Sequence, residues 1–203
     1  MVQRTVEALC ACERVDALAL VVNADRVDEF QSLKEGPFGA KVVAVVPGGD
    51  ERSLSVREGL EALTVAGRWD LVGIHDGARP LVTCDEVERA TAALEKDADL
   101  DGIVLGIPSS DTVKEVDSAG VITGTPDRQK LWRAQTPQIF RWDSLLSAYG
   151  QADEILESAT DDASLLEMRG GRVKMVEGSS QNLKITQHSY LLVAENILAQ
   201  REI

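Results

Sequence analysis

Leu71-Val72-Gly73-Ile74 runs directly into His75-Asp76-Gly77-Ala78-Arg79-Pro80, and the fold is read outward from this stretch. The four apolar residues predict a short buried strand, which ends by presenting a carboxylate, a glycine and a guanidinium. In open α/β sheets, ligands bind at the carboxyl ends of the strands. Asp76 would emerge there, Gly77 would let a ligand approach the main chain, and Arg79 offers a planar fork suited to phosphate. The competing reading is a plain strand-to-loop transition in which Asp76 satisfies backbone donors. His75 reads as a packing residue.

The flanking sequence alternates. Upstream, Val2 to Cys12 predicts a helix, Ala17 to Val22 a buried strand, Asp25 to Leu33 a short helix, Lys41 to Val46 a strand and Ser53 to Ala66 a helix. Downstream come a helix at Cys84 to Lys96 and a strand at Gly102 to Ile107. This order predicts an α/β fold with a mostly parallel sheet and right-handed crossovers, in one domain over residues 1–203. Pro108 to Gln138 breaks the rhythm. Turn residues Asp117-Ser118-Ala119-Gly120 lie between β-branched residues, and the segment predicts a projecting hairpin arm. Helices at Asp143 to Tyr149 and Asp161 to Met168, short strands at Arg172 to Val176 and Leu183 to Ile185, and a last helix from Ser189 to Gln200 complete the reading. The chain opens inside a helix, whereas a doubly wound sheet normally begins with a central strand and a ligand-binding turn. The expectation is that this numbering omits an amino-terminal strand and loop of about 20 to 30 residues.

Composition narrows the partners. Lys and Arg number 21 against 34 Asp and Glu, a net charge of −13, which argues against nucleic acid or an anionic membrane as the main partner. Cations that bind phosphate must therefore be local. Cys10, Cys12 and Cys84 form neither a disulfide framework nor a metal-binding spacing and read as reduced packing residues. No apolar run approaches a membrane span and no leader-like start is visible, so the expected location is cytoplasmic.

Other motifs admit two readings each. Pro47-Gly48-Gly49-Asp50-Glu51-Arg52-Ser53-Leu54-Ser55 joins a strand to a helix, where backbone N–H groups and a helix start suit a nucleobase, ribose or phosphate. It also reads as a Gly-Gly turn capped by Ser53. Asp97-Ala98-Asp99 falls at the amino end of a strand and reads as a solvated loop. Asp161-Asp162, after Thr160, suits helix capping. Lys184, within Asn182-Leu183-Lys184-Ile185-Thr186, either reaches the site from a strand or is simply exposed. Arg128, Lys130 and Arg133 around Trp132 read equally as a solvated ribbon.

In this order, PGGDERSLSV, HDGARP, DTVK, DRQKLWRAQTPQ, TDDAS and NLKIT closely resemble the 2-C-methyl-D-erythritol 4-phosphate cytidylyltransferases of non-mevalonate isoprenoid biosynthesis, across almost the whole chain. The resemblance implies a Rossmann-like, GT-A-like nucleotidyltransferase fold, a homodimer with exchanged arms, and Mg²⁺. It also implies transfer of cytidylyl from CTP to a sugar-alcohol phosphate with release of pyrophosphate. By motif position, Gly49, Asp50, Ser55 and Gly77 would contact CTP. Asp76, Arg79, Thr136, Thr160 and Lys184 would meet the acceptor or, for Asp76, the metal. Thr112 and Arg128 on the arm would reach the partner's site, and Arg128 and Lys184 would act in catalysis. Ribitol-phosphate cytidylyltransferases share several of these motifs, and a non-catalytic nucleotide-binding module is the alternative of another class. Gly77 stands where relatives more often carry alanine. The family's opening strand, its glycine-rich loop with an arginine, and its Pro-Lys-Gln segment are not found in these 203 residues, so low turnover is expected.

Overall fold

The apolar runs and the amphipathic stretches between them fold in the alternating order expected. The computed structural model describes residues 1–201. Its elements are α1 (Val2–Cys10), β1 (Leu18–Val22), α2 (Val27–Glu35), β2 (Val42–Pro47), α3 (Arg52–Ala66), β3 (Leu71–Ile74), α4 (Cys84–Glu95), β4 (Gly102–Pro108), β5 (Glu115–Val116), β6 (Ile122–Gly124), β7 (Trp132–Arg141), α5 (Trp142–Tyr149), α6 (Asp153–Ser158), α7 (Asp162–Glu167), β8 (Val173–Glu177) and α8 (His188–Arg201).

β1 and β2 pair in parallel, and the other large sheet has the order β3-β7-β4-β8. Within it, β4 and β8 are parallel while β7 runs antiparallel to both β3 and β4. The sheet is thus mainly parallel, with one reversed strand at its centre. β4 explains why the sheet is covered on both faces. Val104 points into a core with Val72, Phe140 and Leu165, whereas Ile103 and Leu105 face Ala90, Leu94 and Ile139. An uninterrupted apolar run is what a strand buried on both sides requires.

The return leg of the arm departs from expectation. Residues 132–141, read mostly as arm, are a long central strand. Pro137 argues against a central strand because it lacks a ladder donor, and the structure accommodates it at an irregularity. The β4–β7 register slips between Val104 and Gly106, and the β3–β7 ladder ends at Ile74 opposite Gln138. β5 and β6 form the expected hairpin, with Asp117 accepting from the backbone N–H groups of Ala119 and Val121, and Gly120 at φ +81°.

Three smaller expectations are corrected. Leu183 to Ile185 is not a strand; the Ile185 N–H donates to the Ala78 carbonyl without a ladder forming among the described residues. α3 starts from Glu51 rather than a Ser53 cap, and Ser53 is buried. Cys12 and Cys84 pair as a disulfide between the end of α1 and the start of α4, with Cys10 free. These cysteines are 72 residues apart, so proximity in space, not sequence spacing, decides their pairing.

Candidate active site

β3 delivers Asp76 to the carboxyl edge of its sheet, and three cations converge on it. Lys184 Nζ lies 3.1 Å from its carboxylate, Arg79 Nε 3.4 Å and Arg52 Nε 3.9 Å. Burial opposes ionisation of Asp76, but the Lys184 hydrogen bond and charge, with Arg52 and Arg79, outweigh it and hold the carboxyl below its ordinary value. Arg52 also contacts Asp162, so three cations face two carboxylates, and the cluster keeps a surplus of positive charge that suits phosphate oxygens.

Thr136 and His75 brace the strand end. The Thr136 hydroxyl accepts from the Asp76 N–H at 3.0 Å and sits 3.1 Å from His75 Nδ1. His75 Nε2 lies 3.2 Å from the Arg79 carbonyl. A carbonyl only accepts, so this assigns the proton to Nε2 and leaves Nδ1 to accept from Thr136. Burial lowers the His75 pKa to about 4, so the neutral ring fits this pattern. Thr136, expected at the substrate, is buried with its hydroxyl engaged on both sides; it supports Asp76 from below.

Lys184 is positioned by its loop. Arg79 Nη1 donates to the Asn182 carbonyl at 2.7 Å, and Gln135 Nε2 donates to the same carbonyl at 3.2 Å. The Asn182 side chain donates to the Thr136 carbonyl and to Glu86. Glu86 also completes the capping box with Thr83 that starts α4. This net fixes two residues beyond β3 and a loop about a hundred positions later.

The turn before α3 lies beside the cluster. The Gly48 N–H donates to the Val22 carbonyl, joining the turn to the end of β1, and Ser55 Oγ donates to the Gly49 carbonyl at 3.2 Å. A side chain at Gly48 would collide with Ser55 Oγ and one at Gly49 with Leu54 Cβ, so the sharp approach of the turn to α3 requires both glycines. Asp50 is exposed on this turn. Gly77 differs: its carbonyl accepts from Thr5 Oγ1 of α1, and an added Cβ would meet Val2 at ordinary contact distance. Alanine would fit at that position.

Arg52, which the sequence reading left without a role, links the cluster to a second buried acid. It donates to Asp162 at 2.7 Å. Asp162 is fully buried and also accepts from the Tyr149 hydroxyl at 2.6 Å; burial and the adjacent carboxylate push the phenol pKa upward and keep it protonated. Asp161 does cap α7, as expected, through the Ser164 N–H, while also accepting from Gln138. Thr160 lines a small pocket of about 50 Å³ with Arg52 and Tyr149, next to the cluster but without a direct bond to Asp76 among the described residues. Thr112 and Arg128 lie exposed on the arm and do not join the cluster within this chain. Among the described residues no group of three or more His, Cys, Asp or Glu side chains converges, so the cluster offers a metal one carboxylate, Asp76. Mg²⁺ is commonly held by one or two carboxylates with substrate oxygens; Asp76 would supply one such carboxylate, which it shares here with Lys184, Arg79 and Arg52.

The fold is that of the Rossmann-like nucleotidyltransferases. The crystal structure of 4-diphosphocytidyl-2C-methyl-D-erythritol synthase from Anaerococcus prevotii matches it with a TM-score of 0.83 and 29% identity, covering 98% of this chain and 85% of that one. The Francisella tularensis 2-C-methyl-D-erythritol 4-phosphate cytidylyltransferase matches with a TM-score of 0.81 and 27% identity, covering 96% and 86%. Sequence narrows the class further. A family model for 2-C-methyl-D-erythritol 4-phosphate cytidylyltransferase matches residues 1–200. The protein of that name from Geobacter metallireducens is 40% identical over 201 residues, 98% of this chain and 84% of the relative. That from Synechocystis is 40% identical over 197 residues, 97% and 84%. The chain belongs to the 2-C-methyl-D-erythritol 4-phosphate cytidylyltransferase family.

Proposed function

We propose that the chain transfers cytidylyl from CTP to 2-C-methyl-D-erythritol 4-phosphate in non-mevalonate isoprenoid biosynthesis, giving 4-diphosphocytidyl-2-C-methyl-D-erythritol and pyrophosphate. The observation that carries this reading is the convergence of Lys184, Arg79 and Arg52 on Asp76 at the carboxyl end of β3, in a member of this family. An oxygen of the acceptor phosphate attacks the α-phosphorus of CTP. A new P–O bond forms, the bond to the β-phosphate oxygen breaks, and its electron pair leaves with pyrophosphate. The nucleophile is already anionic, so no general base is needed, in keeping with a neutral, internally bonded His75. The protein's task reduces to holding two polyanions in line and neutralising their charge.

In this reading Gly49, Asp50, Ser55 and Gly77 form the nucleotide side. Asp76, Arg79, Thr160 and Lys184 form the acceptor side, with Thr136 supporting Asp76. Asp76 would hold Mg²⁺ together with substrate oxygens, and the ion when bound supplies further neutralisation of phosphate charge. The arm carries Thr112 and Arg128 into a partner's site in a homodimer, and the exposed Val113, Val116, Val121 and Ile122 along it support an apolar contact with a second copy. Among the described residues no helix is long and apolar enough to cross a membrane. A cytoplasmic location, where CTP is available, completes the proposal.

Pyrophosphate release from CTP and 2-C-methyl-D-erythritol 4-phosphate, with CTP binding followed by calorimetry, tests it. Lys184→Ala is expected to lower turnover by about 100- to 1000-fold with the fold intact by circular dichroism. Release with ribitol 5-phosphate as the better acceptor, or unchanged turnover in Lys184→Ala, would overturn the assignment.

A further inference from the structure

The Cys12–Cys84 pair takes no part in the proposed reaction, yet it joins two elements that each touch the site. At the end of α1, Cys12 is 2% exposed in a small cluster with Val82 and Val87, backed by Ala8, Leu9 and Val15. Cys84 is exposed as the first residue of α4, and its Cα lies 5.1 Å from that of Cys12. From α1, Thr5 Oγ1 donates to the Gly77 carbonyl at 2.9 Å. From α4, the cap beside Cys84 leads toward Lys184. The Thr83 N–H and hydroxyl both donate to the Glu86 carboxylate at 3.1 Å, and the same buried carboxylate accepts from Asn182 Nδ2 at 3.3 Å. Lys184 stands two residues further on, against Asp76. A buried carboxylate is costly without its donors, so a shift at the start of α4 is passed through Glu86 to Asn182 and the Lys184 loop.

We propose that Cys12 and Cys84 form a thiol–disulfide switch: the closed bond fixes the start of α4 and with it the Lys184 loop, and opening by a dithiol reductant loosens both. This rests on the reading of Lys184 as an acceptor-side residue. In the reducing location proposed above, paired cysteines are usually transient and redox-sensing rather than permanent staples. One thiolate of the dithiol attacks Cys84 Sγ, the exposed end of the bond. The bond between Cys12 and Cys84 breaks, and its electron pair leaves on Cys12 Sγ, which takes up a proton. The second thiolate of the dithiol then attacks the dithiol sulfur bonded to Cys84. Cys84 leaves with that electron pair and is protonated, and the dithiol ends as a disulfide, having given up two electrons and two protons. A cysteine in the first turn of a helix favours the thiolate, which suits Cys84 to leave in the second step. Burial of Cys12 directs the first attack to Cys84.

The test compares the full chain purified in air with the same chain treated with dithiothreitol. Ellman's reagent in denaturant is expected to titrate one thiol, that of Cys10, in the untreated chain and three after reduction. Amide exchange is expected to quicken about tenfold or more on reduction at residues 84–87 and at residues 182–185, with the β4 amides unchanged. Cys84→Ser, a substitution at an exposed position outside the site, is expected to exchange like the reduced chain and to be indifferent to dithiothreitol. Three thiols in the untreated chain would overturn the proposal. So would faster exchange confined to residues 84–87, which would make the bond a local staple, or a Cys84→Ser chain whose residues 182–185 still respond to the reductant. These readouts need neither substrate, so a failure of the switch and a failure of the proposed reaction are told apart.

Discussion

Asn182 is fully buried, and through it Arg79, Gln135, Thr136 and Glu86 hold the loop that carries Lys184. Replacing it by alanine removes donors that satisfy a buried carboxylate and a buried carbonyl, at a cost of about 1–3 kcal/mol. Asn182→Ala is expected to lower unfolding stability by that amount in urea and to raise KM for the acceptor as Lys184 loosens. His75 gives a pH test. Its folded pKa of about 4 lies below the ordinary 6.5, so the unfolded chain binds more protons between those values. Stability from this group is complete above about 6.5 and is lost as pH falls toward 4. Stability should decline over that window, and His75→Gln should flatten the decline; a parallel profile in the variant would refute the assignment. Asp76 and Arg79 were legible because they follow the apolar run that forms β3, whereas Lys184 was read onto a strand that does not form and is held at Asp76 by its loop. Arg52 and Asp162 were not, because their contact joins positions 110 residues apart and neither lies in a motif that demands it.

At the scale of elements, local pattern was enough for most helices and strands, since apolar spacing reports which face is buried. The exceptions were α6, which was not predicted, the Leu183 to Ile185 segment, which is not a strand, and β7. Gln135, Thr136, Pro137 and Gln138 interrupt its apolar pattern, yet Gln135, Thr136 and Gln138 are all buried, with hydrogen bonds outside β7 to the Ser179 carbonyl, the Asp76 N–H and the Asp161 carboxylate, while Gln135 Oε1 has no partner among the described residues. The arm yields a prediction at this scale. Ile122 is 59% exposed on β6, so Ile122→Asp should weaken self-association in analytical ultracentrifugation while changing monomer stability by no more than about 0.5 kcal/mol. Buried β4 should behave oppositely. Leu105, with no exposure, is expected to cost about 2–5 kcal/mol when replaced by alanine, read from the denaturation midpoint.

For the molecule as a whole, the division into two sheets sets how it opens. Val42, Val45, Val6 and Phe30 form a core of their own under β1 and β2, apart from the cores on either face of the larger sheet. Among the described residues no ladder joins the two sheets, so native-state hydrogen exchange should show the β1 and β2 amides opening at lower free energy than those of β4 and β7. A single opening energy for all four strands would contradict this. Arg52 spans the division, since it begins α3, whose turn is bonded to β1, and yet grips Asp162 under the larger sheet. A phosphate that draws this guanidinium away from Asp76 leaves its other end tethered to Asp162. The side chain then swivels about a fixed mooring, so a nucleotide seated on the glycine turn would tighten the grip between the two halves of the molecule.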